Sequence, residues 1–260
     1  MRIGIDLGGT SVKAALCADD GAILIKQSVP TRTGDPDGLR EDMKQLALAL
    51  CEAGGVQPDE VESIGIGVPG SYDKPSCTLR FGTNLGMNDV CFAETFQPEF
   101  GCAVQLDNDA NCAALGEATA GAGKNVKNML MITLGTGVGG GTLVGLSKKM
   151  LGMDDIDHIV ELAEGGELDN VDLCVKDLTE AGASISLPPD MTASNFGKLS
   201  DIASPADIAR GIINMVFETV GVLGVFAARK ENVRNIVLTG NLATISPAEK
   251  IFENLSSTFG

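Results

Sequence analysis

The chain has 260 residues, enough for one large domain or two ordinary ones, and 44% of them are hydrophobic, so a core can form and general disorder is excluded. A formal net charge of -16 opposes phosphate backbones and anionic membrane surfaces, and one tyrosine with no tryptophan leaves no stacking platform for single strands, so neither nucleic acid nor a membrane is an expected partner. Seven cysteines without a CxxC pair, beside the single His158, give no zinc pattern and read as reduced thiols of a cytoplasmic protein. The chain enters a strand at once with no leader pattern, and its most apolar stretch, 211–228, is interrupted by Asn214 and Glu218.

In chain order, alternating apolar residues predict strands over 2–7, 11–17 and 22–29, joined by turns at Gly8-Gly9 and Asp19-Asp20-Gly21. Leu39, Met43, Leu46 and Leu50 recur at helical spacing, with Asp37 as the expected cap. A strand over 63–68 ends in Pro69-Gly70, and 71–101 reads as loop with short helical pieces. A strand over 102–106 and a helix over 109–120 follow, closed by Gly121-Ala122-Gly123. The pattern then restarts: strand 128–134, a glycine turn, and an extended continuation over 141–144. Helices are predicted at 154–164 and 170–179, and Ser204-Pro205-Ala206-Asp207 starts another that runs to about 230. Strand 234–239, turn Gly240-Asn241 and helix 247–255 complete the chain. Strand–glycine turn–strand thus occurs twice. This predicts an α/β fold of duplicated architecture with two lobes, 1–122 and 123–260, and a cleft facing both turns.

Glycine turns aim several backbone N–H groups at one spot, and the hydroxyls of Thr10, Ser11 and Thr136 add donors. Two such turns suit a polyphosphate. Asp6, at the lip of the first, would repel phosphate directly but suits a Mg²⁺ held between it and the phosphates. Transfer to an alcohol also needs a base, and Asp109, where Asp107-Asn108-Asp109-Ala110-Asn111 passes from strand to helix, is the candidate; helix capping is the alternative use of these residues. His158, among Asp154, Asp155 and Asp157, reads as an exposed helix residue.

At these residues the chain resembles the sugar kinase, acetate kinase and actin-like ATPase superfamily. Asp6-Leu7-Gly8-Gly9-Thr10 resembles its first phosphate motif, Leu134-Gly135-Thr136-Gly137 its second, and Leu238-Thr239-Gly240-Asn241 its adenosine motif. The resemblance implies ATP and Mg²⁺, with Gly8, Gly9, Thr10, Ser11, Gly135, Thr136, Gly137, Gly139, Gly240 and Asn241 on the nucleotide and Asp6 on the metal. It also implies a ribonuclease H-like two-lobed fold, a small-molecule substrate and a homodimer.

Residues 1–145 resemble the ROK sugar kinases and repressors, through Gly67-Val68-Pro69-Gly70, Thr83-Asn84-Leu85, Asn108-Asp109-Ala110-Asn111 and the glycine run. That implies Asp109 as catalytic base and Asn84 and Asn108 on sugar hydroxyls; the later ROK signature, Glu-x-Gly-His with its cysteine zinc loop, is absent. Residues about 139–241 resemble the type II pantothenate kinases, through Gly139-Gly140-Gly141-Thr142, Asn170-Val171-Asp172-Leu173 and Thr192-Ala193-Ser194-Asn195-Phe196-Gly197. Their catalytic glutamate corresponds by position to Asp107, and their pantothenate-binding Arg is missing; Arg80 is the candidate replacement, with a solvated surface arginine as its plainer reading. Relatives continue through a further strand and helix beyond the last one here. The expected function is ATP-dependent phosphorylation of a metabolite hydroxyl, pantothenate favoured, with a sugar or amino sugar, or a non-catalytic nucleotide sensor, as alternatives.

Overall fold

Alternation at the N-terminus builds a sheet with one apolar face. Strands β1 (Arg2–Leu7), β2 (Ser11–Cys17) and β3 (Ile23–Pro30) form an antiparallel meander. Ile3, Ile5 and Leu7 point to one side and are buried, while Gly4 and Asp6 point to the other. Helix α1 (Pro36–Gly54) then returns the chain, and β4 (Ser63–Val68) pairs parallel with β1. The cap of α1 is Asp35, whose carboxylate accepts from Gly38 N; Asp37, predicted for that role, lies inside the first turn. Asp37, two residues after Asp35, is already within the first helical turn, so the earlier acid takes the cap.

Residues 71–101, read as loop, hold an antiparallel arm of β5 (Ser71–Asp73), β6 (Thr78–Gly82) and β7 (Met87–Cys91), followed by α2 (Ala93–Phe100). Short strands turning through positive φ at Cys77, Gly86 and Asp89 give little sequence periodicity, which hid them. Strand β8 (Ala103–Asn108) joins β4 in parallel and completes the order β3-β2-β1-β4-β8, and α3 (Asp109–Thr119) follows without a break. The apolar face packs Ile3, Ile5, Ile64, Ile66 and Leu106 with Leu39, Met43 and Leu46 of α1 and Phe96 of α2. These elements belong to the first of two compact units, Met1–Asn125 and Val126–Gly260. The structure is a computed structural model that describes residues 1–178 and 188–259.

In the second unit β9 (Met129–Thr133) leads into the glycine loop, and the chain then enters α4 (Gly140–Leu151) rather than the extended segment predicted over 141–144. Gly139 stands at the start of the helix with φ +89°, and Gly140 N and Gly141 N donate to Gly135 O and Thr136 O. The first turn of a helix has few intrahelical obligations, so consecutive glycines are tolerated there, and Leu143 and Ser147 mark its buried face. Helix α5 (Ile156–Glu164) follows as predicted. The helix expected over 170–179 is instead a short 3₁₀ turn at Leu168–Asn170, strand β10 (Leu173–Cys174) and a second 3₁₀ turn at Val175–Leu178; residue 179 lies outside the described residues. Strand β11 (Thr192–Ser194) pairs with β10.

Helix α6 (Pro205–Lys230) begins at the predicted cap, with Ser204 and Asp207 in a reciprocal capping box. By length and composition it is long and apolar enough to cross a membrane, contrary to the sequence expectation. Half of its apolar window is buried against the unit, and both polar residues bond neighbouring segments: Asn214 donates to Asp172 and Thr192, and Glu218 accepts from Thr192 and Asn195. Those are the contacts of a core helix. Strand β12 (Asn235–Thr239) pairs parallel with β9, and α7 (Ser246–Phe259) packs on α6, with Phe252 edge-on to Phe217.

Candidate active site

In the first unit the parallel strands end together. Asp6, Gly67 and Asp107 are register partners across β1, β4 and β8, so they share one row on the face away from the core. Gly67 leaves the middle of that row open for α3: a Cβ there would sit 3.5 Å from the Asp109 Cα and from Cys112 Sγ. Three carboxylates and a thiol therefore lie along one edge. Burial, then Asp107 and Asp109, push the Cys112 thiol up; Lys74 opposes them and Asp6 adds to them.

The two candidate bases differ in how they are engaged. Asp107 accepts from the Tyr72 hydroxyl (2.7 Å), Lys74 Nζ (2.8 Å), Asn111 Nδ2 (2.9 Å) and Asn108 N (2.8 Å). Those donors, Lys74 foremost, hold its carboxyl well below the usual carboxylate range, as expected for an anion with several donors. A carboxylate so stabilised is a poor proton acceptor. Asp109 is exposed at the first position of α3, and among the described residues its side chain accepts one hydrogen bond, from Ala110 N to Oδ1 at 2.8 Å. Asn108 caps α3 by accepting from Ala110 N (3.0 Å) and Asn111 N (3.3 Å), so capping and a substrate role coexist in this segment.

The β1–β2 turn is held from outside itself. Gly8 N donates to Ser11 O, the Thr31 hydroxyl donates to Gly8 O (2.7 Å), and Thr31 N donates to Thr10 O. Gly9 and Thr10 remain exposed, and a Cβ on Gly9 would touch Asn84 Cβ at 3.4 Å, so the first glycine turn and Asn84 are neighbours. Among the described residues no three His, Cys, Asp or Glu side chains are grouped to chelate a metal. The exposed Asp6 carboxylate fits a Mg²⁺ that would keep most of its water.

In the second unit the two remaining glycine motifs form one wall. Gly240, at φ +91°, lies against the Leu134 backbone, and Leu134 N donates to Thr239 O at 2.7 Å. A pocket of about 310 Å³ opens there, lined by Gly135, Thr136, Gly140, Ile156, Gly240 and Asn241 among others. Its floor holds the N-terminus of α4, whose partial positive charge favours anions. Gly137 and Gly139 belong to the same loop but do not line this pocket.

Arg80 is tied to Asp89 (3.1 Å) and Asp73 (3.5 Å) on the β5–β7 arm. His158 is exposed in the first turn of α5, where its backbone N–H meets the Asp155 cap. Tyr72 and Lys74 escaped sequence reasoning: their approach to Asp107 depends on an arm that left no periodic trace, and the sole tyrosine of the chain was the available signal.

The ROK family model matches residues 2–154, and the Fumble model matches residues 126–259. A glucokinase from Halalkalibacterium halodurans is 37% identical over 169 residues, covering 63% of this chain and 51% of that protein. The chain spans about half the length of the curated relatives it matches. Among solved structures, the ROK hexokinase from Thermus thermophilus superposes with a TM-score of 0.70 at 20% identity, over 99% of this chain and 87% of that one. A ROK family glucokinase from Streptomyces griseus, solved with glucose and AMPPNP, gives 0.62 at 18% identity, over 98% and 89%. These likenesses show the fold, which is α/β of the actin-like ATPase type. By these matches the chain belongs to the ROK family through residues 2–154 and to the Fumble family through residues 126–259.

Proposed function

We propose that this chain is an ATP-dependent kinase that transfers the γ-phosphoryl group to a hydroxyl of a small neutral metabolite, a sugar or amino sugar. The observation that carries the reading is the unequal engagement of the two aspartates: Asp107 is saturated by four donors, whereas Asp109 has a carboxylate oxygen to offer. Asp109 accepts the proton of the attacking hydroxyl, and Asn84 and Asn108 orient the acceptor. The glycine turn at 8–11 and the loop at 135–139 hold the phosphates, while Gly240 and Asn241 lie against adenosine. Asp6 would help hold a Mg²⁺, which when bound would supply charge neutralisation for the phosphates. Such an enzyme works where ATP is made available, in the cytoplasm.

One observation favours a sugar over pantothenate. The ROK match runs over residues 2–154 and so spans nearly all of the unit that carries Asn84, Asn108 and Asp109. Pantothenate is kept as the second reading because the Fumble match spans residues 126–259. The deciding experiment is Mg-ATP-dependent phosphorylation of glucose, N-acetylglucosamine, N-acetylmannosamine and pantothenate, with Asp109→Asn as control. Sugar turnover abolished in the variant supports the reading; pantothenate turnover replaces the acceptor; turnover that survives Asp109→Asn removes Asp109 as base.

A further inference from the structure

The β5–β7 arm forms its own three-stranded sheet and has no ladder to the main sheet of its unit. Its apolar side chains, Leu79, Met87 and Val90 among them, enter the core that Leu106 of β8 also lines, and its hydrogen bonds to β8 come from side chains. Cys77 Sγ donates to Val104 O at 3.3 Å, and Tyr72 and Lys74 both reach Asp107. From Asp107 the connection continues into α3. The same Oδ1 that accepts from Tyr72 also accepts from Asn108 N, before the helix, and from Asn111 Nδ2, in its first turn. Asn108 in turn caps Ala110 N and Asn111 N, and Asp109 sits between the two residues so held.

An exposed lysine–carboxylate pair alone contributes little. Here the acceptor oxygen is shared by three donors from two separate segments, so loss of one donor loosens the hold on both. We propose that Tyr72 and Lys74 are positioning residues for phosphoryl transfer: through Asp107 they fix the first turn of α3, and with it the orientation of Asp109 and Asn108. They touch neither acceptor nor nucleotide. The proposal rests on the reading of Asp109 as the base, and it assigns Asp107 to support.

The test pairs amide hydrogen exchange with steady-state kinetics on the full chain. In Lys74→Met and in Tyr72→Phe, exchange at Ala110 and Asn111 rises about tenfold, and kcat falls about tenfold, the size of one lost hydrogen bond to a charged group. KM for ATP stays unchanged. Lys74→Met adds no further loss in an Asp107→Asn background, because the two changes remove one connection. Lys74→Arg recovers most of the loss. Unchanged exchange and kcat, or losses that multiply with Asp107→Asn, overturn the proposal. If the wild-type chain phosphorylates no acceptor, the kinase reading fails, whereas the anchoring still stands or falls on the exchange data alone. A variant that fails to fold is recognised by uniform loss of exchange protection, and Tyr72→Phe, which removes one hydroxyl, then decides.

Discussion

A Cβ added to Gly240 would lie 2.2 Å from the carbonyl oxygen of Leu134, so the loop after β12 rests directly on the loop after β9. Leu134 N donates to Thr239 O, and Leu242 N closes back on Leu134 O. The two loops are one structure, and the pocket at Gly135, Thr136 and Asn241 exists because Gly240 has no side chain. Its φ of +91° adds backbone strain to the clash for any other residue. Gly240→Ala is expected to cost about 2 kcal/mol or more and to weaken nucleotide binding. Thermal unfolding and calorimetric titration with AMPPNP check both; unchanged values in each would mean the loops can separate without loss.

Where a residue pattern has a short period and a local cause, the fold was legible. The β1–β3 meander, the Ser204 cap of α6 and the strands ending at Asn108 and Thr239 follow from alternation, capping chemistry and turn glycines. Several places were not, among them 168–178, where two 3₁₀ turns and β10 stand in place of the predicted helix. The run after Gly139 looked extended because glycines carry no periodicity, and it became α4 through the bonds of Gly140 N and Gly141 N to the preceding loop. The arm at 71–91 has strands of three and five residues, too short to show alternation. The choice between Asp107 and Asp109 rests on Tyr72 and Lys74, 35 and 33 positions before Asp107, and no spacing rule connects them.

Asp107 also predicts an acid response. Its folded-state pKa is depressed, first by Lys74, so it stabilises the fold above the unfolded carboxylate value, and that contribution is lost as pH falls through the folded value. Lys74→Met moves the folded value back toward the unfolded one. The stability gap between wild type and variant is therefore expected to be constant above about pH 4, the unfolded Asp value, and to narrow below it. Because Lys74 is largely exposed, salt should shrink the gap. Urea unfolding of both proteins at pH 7 and pH 3 measures this, and a gap that widens in acid would contradict it.

Cys112 reports on the same edge. Its thiol is raised by burial and by the neighbouring Asp107 and Asp109 carboxylates, so little thiolate is present near neutrality. Alkylation by iodoacetamide at Cys112 should be slower than that of free cysteine at pH 7.5 and should climb steeply with pH. Lys74→Met should slow it further, since that lysine is the group that favours the thiolate. Peptide mapping by mass spectrometry identifies the site, with Cys112→Ser as control. Because Cys112 lies one helical turn after Asp109, the modified chain is expected to lose turnover, and bound acceptor should protect it. Faster reaction than free cysteine would mean the carboxylates do not act on the thiol.

Asp172 gives the opposite pH sign. Its side chain is fully buried, accepts from Phe196 N (2.7 Å) and Asn214 Nδ2 (3.1 Å), and ties the β10–β11 segment to α6. Burial pushes its pKa up, against those two donors. A carboxyl whose folded value is raised keeps its proton in the fold while the unfolded chain releases it. The fold therefore loses stability as pH climbs from the unfolded value to the folded one, and is level beyond it. Asp172→Asn retains an acceptor for Phe196 N but turns an amide N–H₂ toward that of Asn214, at a cost of about 1–3 kcal/mol. The variant has no carboxyl to ionise at this position. Its deficit relative to wild type is expected to be smaller at pH 7 than at pH 4, as read from urea unfolding at the two values. A larger deficit at pH 7 would mean that the donors outweigh burial and hold Asp172 as an anion in the core.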